Sequence, residues 1–264
     1  MKHKPIFIMV ILMLLMCTMA YGKELPHIDI RYVSQGIVRI SYQSDKKIKV
    51  IVKNNDKQYT YNLTADGRVE TFPLQLGSGQ YTVGVYENTT ESKYKKLTSK
   101  TFQLGDINEQ IVYLNAVQNV NWNEEDEAIK LAKVLTRDKK TNMEKAISIY
   151  TYIVSNFNYD EDKIQKLAYN YIPEVDSILK TKSGICYDFS TLYGAMLRST
   201  GVPTKLVTGY SLNAIGYHSW NEIYDENTNE WLIVDLTYDV QLNQLIHERE
   251  MKKNKILYKK EKEY

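Results

Sequence analysis

Residues 183–188 read Ser-Gly-Ile-Cys-Tyr-Asp and stand directly before a pattern that predicts a helix. Apolar side chains then recur at intervals of three and four residues, as on the buried face of a helix: Phe189, Leu192, Tyr193, Met196 and Leu197. Gly201 and Pro203 end the helix, because glycine accepts the left-handed cap conformation and proline blocks continuation. Cys186 is therefore expected in the first turn. There the unpaired backbone N–H groups favour a thiolate and can donate to an oxyanion.

Three strands are predicted beyond this helix. The first spans residues 205–210, and the other two span residues 217–224 and 231–235. The connection between the last two, residues 225–230, is rich in Asn and Asp and is typical of a hairpin loop. The second half of the chain thus predicts a helix followed by an antiparallel sheet.

The hairpin brings a histidine and an aspartate together in either of two registers. If Tyr224 pairs with Trp231, His218 lies diagonal to Asp235, and if Tyr224 pairs with Asn229, His218 lies directly opposite Asp235. Side chains alternate along a strand, so both registers leave the two residues on one face and within reach of each other. The hairpin therefore predicts an oriented histidine.

Cys186, His218 and Asp235 have the side chains of a cysteine-type catalytic triad. In such a triad the thiolate attacks, the histidine moves the proton, and the aspartate fixes the tautomer and orientation of the imidazole. A cysteine on its own is more often a small buried apolar residue. The combination of all three in a matching arrangement favours the catalytic interpretation.

Four segments resemble the core of the transglutaminase-like superfamily, whose fold is similar to that of papain-type peptidases. They are residues 184–188 (Gly-Ile-Cys-Tyr-Asp), 197–203 (Leu-Arg-Ser-Thr-Gly-Val-Pro), 218–222 (His-Ser-Trp-Asn-Glu) and 231–235 (Trp-Leu-Ile-Val-Asp). The resemblance implies an α+β domain with a papain-like or transglutaminase-like fold. It also implies that the cysteine, the histidine and the aspartate of these segments are catalytic.

The sequence departs from that family at the oxyanion donor. Eukaryotic transglutaminases supply a tryptophan side chain for this purpose, and no tryptophan occurs between Trp122 and Cys186. We take Tyr171 as the replacement candidate, with Tyr187 and Trp220 as further oxyanion or pocket candidates. A tryptophan such as Trp220 is more often part of the core or of a pocket wall than a catalytic group.

The triad would suit acyl transfer through a thioester, with water or an amine resolving the intermediate. Crosslinking of glutamine to lysine, deamidation and peptide cleavage all use the same side chains. A cysteine peptidase or amidase that only hydrolyses is therefore an alternative. A second alternative is a non-catalytic surface protein that binds or adheres, although an intact triad argues against it.

The N-terminus has the pattern of a secretory signal peptide, residues 1–22. A basic start precedes the apolar run 6–19, and Ala20 and Gly22 supply small residues for cleavage. Cys17 leaves lipid modification open, but the residues before it lack the small side chain that usually precedes a lipidated cysteine. We expect a secreted or cell-surface protein whose single remaining thiol, in an oxidising exterior, is kept for reactivity.

Residues 23–105 are expected to form an all-β sandwich resembling immunoglobulin or fibronectin modules. About seven short strands separated by turn residues predict it: 28–32, 37–42, 48–52, 59–61, 69–74, 81–86 and 101–104. Its role is either docking or spacing, and the sequence slightly favours spacing.

Three further segments complete the predicted organisation. Residues 106–122 form a linker, residues 123–246 the catalytic domain, and residues 247–264 a charged tail that is either a solvated helix or a frayed end. Within the catalytic domain, Thr141 and Glu144 have the spacing of a capping box at a helix start. Helices first, then the cysteine helix and an antiparallel sheet, is an α+β order.

Composition narrows the range of partners. A formal net charge of +2 over 264 residues offers no electrostatic case for nucleic acid. The sequence has no zinc-type Cys/His spacing and no phosphate-binding glycine loop, so we expect no metal or cofactor. The expected partner is a protein or peptide substrate at the cell surface or in the cell wall, with membrane attachment only through the signal peptide or a lipid on Cys17.

We expect the exported chain to begin at Lys23, because Ala20 and Gly22 occupy the small positions that signal peptidase requires. The intact mass of the exported protein measures this directly. A mass that includes Cys17 with a diacylglyceryl group would contradict it.

Overall fold

The computed structural model describes residues 24–168, 170–242 and 250–264. The predicted signal peptide and Cys17 lie outside these ranges. In the described part no helix is long and apolar enough to cross a membrane.

The N-terminal part contains seven strands. They are β1 (His27–Asp29), β2 (Ile37–Gln43), β3 (Ile48–Asn54), β4 (Lys57–Leu63), β5 (Asp66–Pro73), β6 (Gly79–Thr90) and β7 (Lys93–Leu104). A short 3-10 turn, Val33–Gln35, lies between β1 and β2. The strands agree in number and order with those predicted from the sequence.

These strands form two antiparallel sheets, with orders β1-β2-β5 and β4-β3-β6-β7. Alternation explains how they pack: in β3, Ile48, Val50 and Val52 are buried, and the residues between them are not fully buried. Side chains from both sheets, such as Ile40 and Val83, share one core. The two sheets therefore pack face to face, and their likeness to immunoglobulin modules stays a prediction.

The C-terminal part mixes helices with an antiparallel sheet. The helices are α1 (Glu109–Val112), α2 (Glu127–Thr136), α3 (Asn142–Asn156), α4 (Glu161–Ile164), α5 (Val175–Thr181), α6 (Cys186–Ser199) and α7 (Leu236–Leu242). The strands are β8 (Asn158–Tyr159), β9 (Ser183–Gly184), β10 (Thr204–Ser211), β11 (His218–Asp225), β12 (Glu230–Val234) and β13 (Tyr258–Glu263). A 3-10 turn, Lys255–Leu257, precedes β13.

Helix α6 lies at the centre of this part, between α2, α3 and α5 on one side and strands β10 and β11 on the other. Its predicted start at Cys186 is confirmed, and Gly201 has the expected left-handed backbone (φ 83°) just beyond its end. Because the helix is covered on both sides, even Ser190 and Thr191 are buried. A helix enclosed in this way holds its first residue in one position.

The structure also confirms the capping box of α3. Thr141 Oγ1 accepts a hydrogen bond from the Glu144 N–H at 3.2 Å, and the Glu144 carboxylate accepts one from the Thr141 N–H at 3.0 Å. Helix α2 is capped by a tertiary contact instead. There the carboxylate of Asp176, in α5, accepts from the N–H groups of Glu127 and Ala128.

The first of the two hairpin registers is the one observed. Strands β11 and β12 pair with Tyr224 opposite Trp231, and Asn221 opposite Val234 is the last pair. Asp235 follows directly after β12, so it lies at the same end of the sheet as His218, the first residue of β11.

The expectation of a solvated helix or frayed end for residues 247–264 is wrong where that segment is described. Strand β13 pairs antiparallel with β10 at the edge of the sheet. Gly209 makes the pairing possible, since a Cβ there would lie 2.1 Å from the carbonyl oxygen of Lys259. The lysines that suggested a solvated tail are typical of edge strands, where charge discourages further pairing.

The predicted linker, 106–122, is packed between the two parts of the molecule. It contains α1, and Tyr113 and Val120 in it are buried. Gln118 ties it to the sandwich, because its side chain donates to the Asn62 carbonyl at 2.6 Å and its backbone N–H donates to the Thr71 carbonyl at 2.9 Å. The segment is therefore part of an interface.

The last residue of the chain also joins the two parts. The ring of Tyr264 lies edge-on to those of Tyr59 and Tyr61 in the sandwich, with centroids 5.6 and 6.0 Å apart. Its carbonyl oxygen accepts from the buried guanidinium of Arg198, in α6, at 2.6 Å. The C-terminus thus connects the sandwich to the central helix.

We expect Tyr264→Ala to lower the free energy of unfolding by about 2–4 kcal/mol, because a partly buried ring shared by both cores is lost. Tyr264→Phe is the matched control and should stay close to wild type, since it keeps the ring. Urea unfolding of the two variants measures the difference. Equal stability of Tyr264→Ala and wild type would show that the two parts do not stabilise each other through this ring.

Candidate active site

Cys186 is the first residue of α6, and Ile185 is the extended residue before it. The approach to the helix is set by a two-residue parallel pair, in which Asn158 and Tyr159 of β8 lie opposite Ser183 and Gly184 of β9. The thiol is half-buried and forms no disulfide. Because Cys186 is the first residue of the helix, it lies beside the unsatisfied N–H groups of the first helical turn.

Asp188 fixes the start of this helix from a fully buried position. Its carboxylate accepts from the Ile185 N–H at 2.8 Å, from Lys163 Nζ at 2.7 Å and from the Tyr171 hydroxyl at 2.5 Å. The fit is close, because a Cβ on Gly184 would lie 2.7 Å from the Asp188 Cβ. Asp188 therefore has a structural role at the helix start.

The structure gives Tyr171 a different contact from the predicted oxyanion role. Its hydroxyl hydrogen is donated to Asp188, and burial together with that carboxylate raises the pKa of Tyr171. Tyr187 lies next to it, with ring centroids 6.3 Å apart, and its hydroxyl accepts from Asn119 Nδ2 at 2.9 Å. The hydroxyl hydrogen of Tyr171 is therefore not free for a substrate, whereas Tyr187 accepts in its hydrogen bond and stays an oxyanion or pocket candidate.

Trp220 forms a buried wall beneath His218. The two rings are nearly parallel, at 27°, with centroids 6.2 Å apart, and the Tyr258 ring packs on the tryptophan from the sheet edge at 5.1 Å. Its indole N–H has no hydrogen-bond partner among the described residues. Trp220 therefore stays an oxyanion or pocket candidate.

The His218 and Asp235 side chains meet at the end of the sheet, with Nε2 and Oδ2 2.8 Å apart and both residues buried. Asp235 also precedes α7, and its Oδ1 accepts from the Tyr238 N–H at 3.2 Å. The Tyr258 hydroxyl donates to Oδ2 at 3.0 Å. The carboxylate is therefore held by three donors and fixes the imidazole.

Electrostatics favour a charged pair at the thiol. Burial opposes the charged form of His218, but hydrogen bonds to Asp235 and Cys186 outweigh it and raise the pKa of His218 to about 9. Burial likewise opposes the thiolate, but the hydrogen bond and charge of His218, with added donors from Ser219, lower the pKa of Cys186. Both shifts therefore favour a thiolate–imidazolium pair.

The structure adds three residues that the sequence pattern did not single out. The side chain and backbone of Ser219 contribute to lowering the pKa of Cys186, and the Ser219 hydroxyl accepts from Ser190 at 3.4 Å. Tyr258 supports Asp235 from β13. Tyr159 is close enough to Cys186 that burial and the negative charge of the thiolate raise the pKa of this tyrosine to about 12.

Each of these three was hidden for a different reason. The only sequence feature that could have identified Ser219 as a site residue is its position directly after His218. Tyr258 lies in a segment whose charge suggests a solvated tail, and Tyr159 stands in a two-residue strand too short to show a period. In the described ranges no group of three or more His, Cys, Asp or Glu side chains is arranged to hold a metal ion.

A cysteine at a helix start, beside a histidine and an aspartate at the end of an antiparallel sheet, is the arrangement of cysteine-dependent acyl-transfer enzymes. Residues 129–236 match the model of the transglutaminase-like superfamily. The chain therefore contains a transglutaminase-like domain, and the resemblance seen in the sequence is confirmed.

Two curated proteins match part of the chain. The uncharacterized protein YebA of Bacillus subtilis is 32% identical over 112 residues, which cover 36% of this chain and 15% of that protein. The UPF0252 protein MJ1282 of Methanocaldococcus jannaschii is 26% identical over 113 residues, which cover 39% of this chain and 31% of that protein. The chain thus spans less than a third of the length of these relatives.

Solved structures give a distant likeness. One, from Cytophaga hutchinsonii and provisionally named a cysteine protease, has a TM-score of 0.44 at 17% identity, over 77% of this chain and 70% of that one. Red sea bream transglutaminase has a TM-score of 0.33 at 13% identity, over 76% of this chain and 48% of that one. Both scores are below 0.5, so the family assignment rests on the family model.

We expect iodoacetamide to label Cys186 at a pH well below that required by a free thiol, because His218 and Ser219 stabilise the thiolate. In His218→Ala the dominant remaining influence is burial, which favours the neutral thiol, so the labelling profile should move to higher pH. Labelling rate against pH measures both.

The exposed His27 supplies the control, since His27→Ala should leave the profile unchanged. A wild-type profile like that of a free thiol, or one that His218→Ala does not move, would contradict the charged pair.

Proposed function

We propose that this chain is a secreted cysteine enzyme that transfers acyl groups from protein or peptide amides through a thioester on Cys186. The observation that carries the proposal is the buried His218–Asp235 pair beside a thiol with a lowered pKa at a helix start. Desolvation, a charge partner and a helix terminus coincide there, as they do at catalytic nucleophiles.

In the proposed reaction the Cys186 thiolate attacks the carbonyl carbon of an amide. The resulting oxyanion is stabilised by N–H groups of the first turn of α6, since the hydroxyl hydrogen of Tyr171 is already donated to Asp188. The protonated His218 gives its proton to the leaving nitrogen, and the C–N bond breaks. Water or an amine then attacks the thioester, His218 accepts the proton, and the thiolate is released.

Asp235 would act by holding His218 in the orientation that this proton transfer requires. Tyr258 supports the carboxylate by donating to it, and Trp220 covers the pair from beneath. The sheet end and the chain's last strand would therefore form one unit in catalysis.

Hydrolysis alone, as a cysteine peptidase or amidase, is the second candidate. It is favoured by the lack of a tryptophan between Trp122 and Cys186 and by the engagement of Tyr171 with Asp188, because neither a tryptophan in that segment nor Tyr171 can then serve as the side-chain oxyanion donor that eukaryotic transglutaminases have. A non-catalytic binding protein would have no use for a reactive thiolate, so we rank it last.

We further propose that the N-terminal sandwich is immunoglobulin-like and acts mainly as a support for the catalytic domain. The contacts of Gln118 and Tyr264 with it support this role, because both join the sandwich to segments that pack on α6. Export and a cell-surface or cell-wall substrate remain part of the proposal on the strength of the N-terminal pattern.

The test is incubation of the purified protein with a glutamine-peptide library while an amine probe is titrated. We expect both amine-labelled and hydrolysed products, with labelling ahead only at high amine concentration. Asp235→Asn should keep the fold and lose activity by up to about 10⁴-fold, because the amide favours the wrong histidine tautomer.

Two results would change the assignment. Hydrolysis at every amine concentration, with cleavage of backbone amides, would support the peptidase. Activity of Asp235→Asn within a few fold of wild type would remove Asp235 from the mechanism.

A further inference from the structure

Two neighbouring loops beside the candidate active site carry highly exposed aliphatic side chains, which we call the tips. Leu212 and Ile215 lie between β10 and β11 and are 82% and 106% exposed, and Ile256, in the turn before β13, is 82% exposed. The loops touch, because the Leu212 N–H donates to the Leu257 carbonyl at 2.9 Å. The three side chains therefore lie at one end of the sheet.

Tyrosines stand directly behind these tips. Tyr210 and Tyr217 are each about half exposed, and their rings lie edge-on with centroids 5.5 Å apart. Tyr217 also shares a 2.8 Å hydrogen bond between its hydroxyl and that of Thr208. Tyrosine, with an apolar body and a polar tip, is enriched where a protein meets the boundary between a bilayer and water.

Exposed lysines lie on both sides of Ile256 along the chain. The segment that leads into β13 and the strand itself carry five exposed lysines: Lys252, Lys255, Lys259, Lys260 and Lys262. The exposed acids in the same stretch are Glu250 and Glu261, so the balance is positive. A surface that inserts shallowly between anionic lipid headgroups is expected to combine these three features: aliphatic side chains at its tip, tyrosines behind them and lysines nearby.

We propose that this end of the sheet docks on a lipid bilayer with anionic headgroups. The tips project and form no groove, so they do not suit an extended peptide. A second copy of the chain would bring the same lysines against these and would be repelled. A bilayer matches both the aliphatic side chains and the charge.

The docking surface also lies at the same end of the sheet as the candidate catalytic residues. His218 follows the first loop directly, and Tyr258, which supports Asp235, follows the second. Docking would therefore place the thiol close to the membrane surface and favour substrates attached to it. This inference does not depend on which acyl-transfer reaction the site performs.

The test is sedimentation of the purified protein with vesicles of phosphatidylcholine alone and of phosphatidylcholine mixed with phosphatidylglycerol. The variant Leu212→Gln/Ile215→Gln/Ile256→Gln removes the tips. The matched control, Leu25→Gln/Val134→Gln/Ile147→Gln, removes three exposed aliphatic side chains elsewhere. Every variant keeps the same N-terminus, so any contribution of that segment cancels.

We expect wild type and control to bind the anionic vesicles, and the tip variant to bind about tenfold more weakly or less. Binding of the wild type should fall as salt is raised, because the lysine contribution is screened. Iodoacetamide labelling of Cys186 in solution should be the same in all three proteins, which shows that the tip variant is folded and its thiol intact.

Several outcomes would overturn the proposal. Equal vesicle binding by the tip variant and the control would exclude the tips as the docking element. Equal binding to neutral and anionic vesicles would show that the lysines do not contribute to docking. Self-association of the wild type that the tip variant loses would assign the surface to a second copy, and a changed labelling rate in the tip variant would assign it to the active site itself.

Discussion

The buried carboxylate of Asp188 determines where the central helix begins, and the position of Cys186 depends on it. A buried carboxylate costs several kcal/mol unless donors replace the lost water, and here three donors from three segments do so. One is the backbone at the helix start, and the others are Lys163 in α4 and Tyr171 in the loop before α5. The same contact therefore orients the helix and folds that loop over its first turn.

The far side of the site depends on the end of the chain. Tyr258 donates to Asp235, and Tyr264 packs on the sandwich while its carbonyl binds Arg198 in the central helix. The transglutaminase-like domain thus includes residues 258–264 in its sheet, and Tyr264 joins it to the sandwich.

The charged pair at Cys186 arises from competition between burial and hydrogen bonding. Burial alone would keep both the thiol and the imidazole neutral. The donors of His218 and Ser219 reverse this for the thiol, and the carboxylate of Asp235 reverses it for the imidazole. The pair is therefore a property of the assembled site, since neither residue would be charged if only buried.

The sequence by itself determined the elements whose signal is local. Apolar side chains at intervals of three and four residues located α6 and its first residue, and the polar connection located the hairpin. Alternation along the strands placed His218 and Asp235 on one face and left two registers open. It could not determine which residues meet from distant segments, because periodicity reports which face is buried and not what covers it. Only the tertiary structure chose the register, paired Tyr171 with Asp188, and brought Ser219 and Tyr258 into the site. It also converted the lysine-rich end from a predicted tail into an edge strand, because such a strand needs only one neighbour and leaves its charges in water.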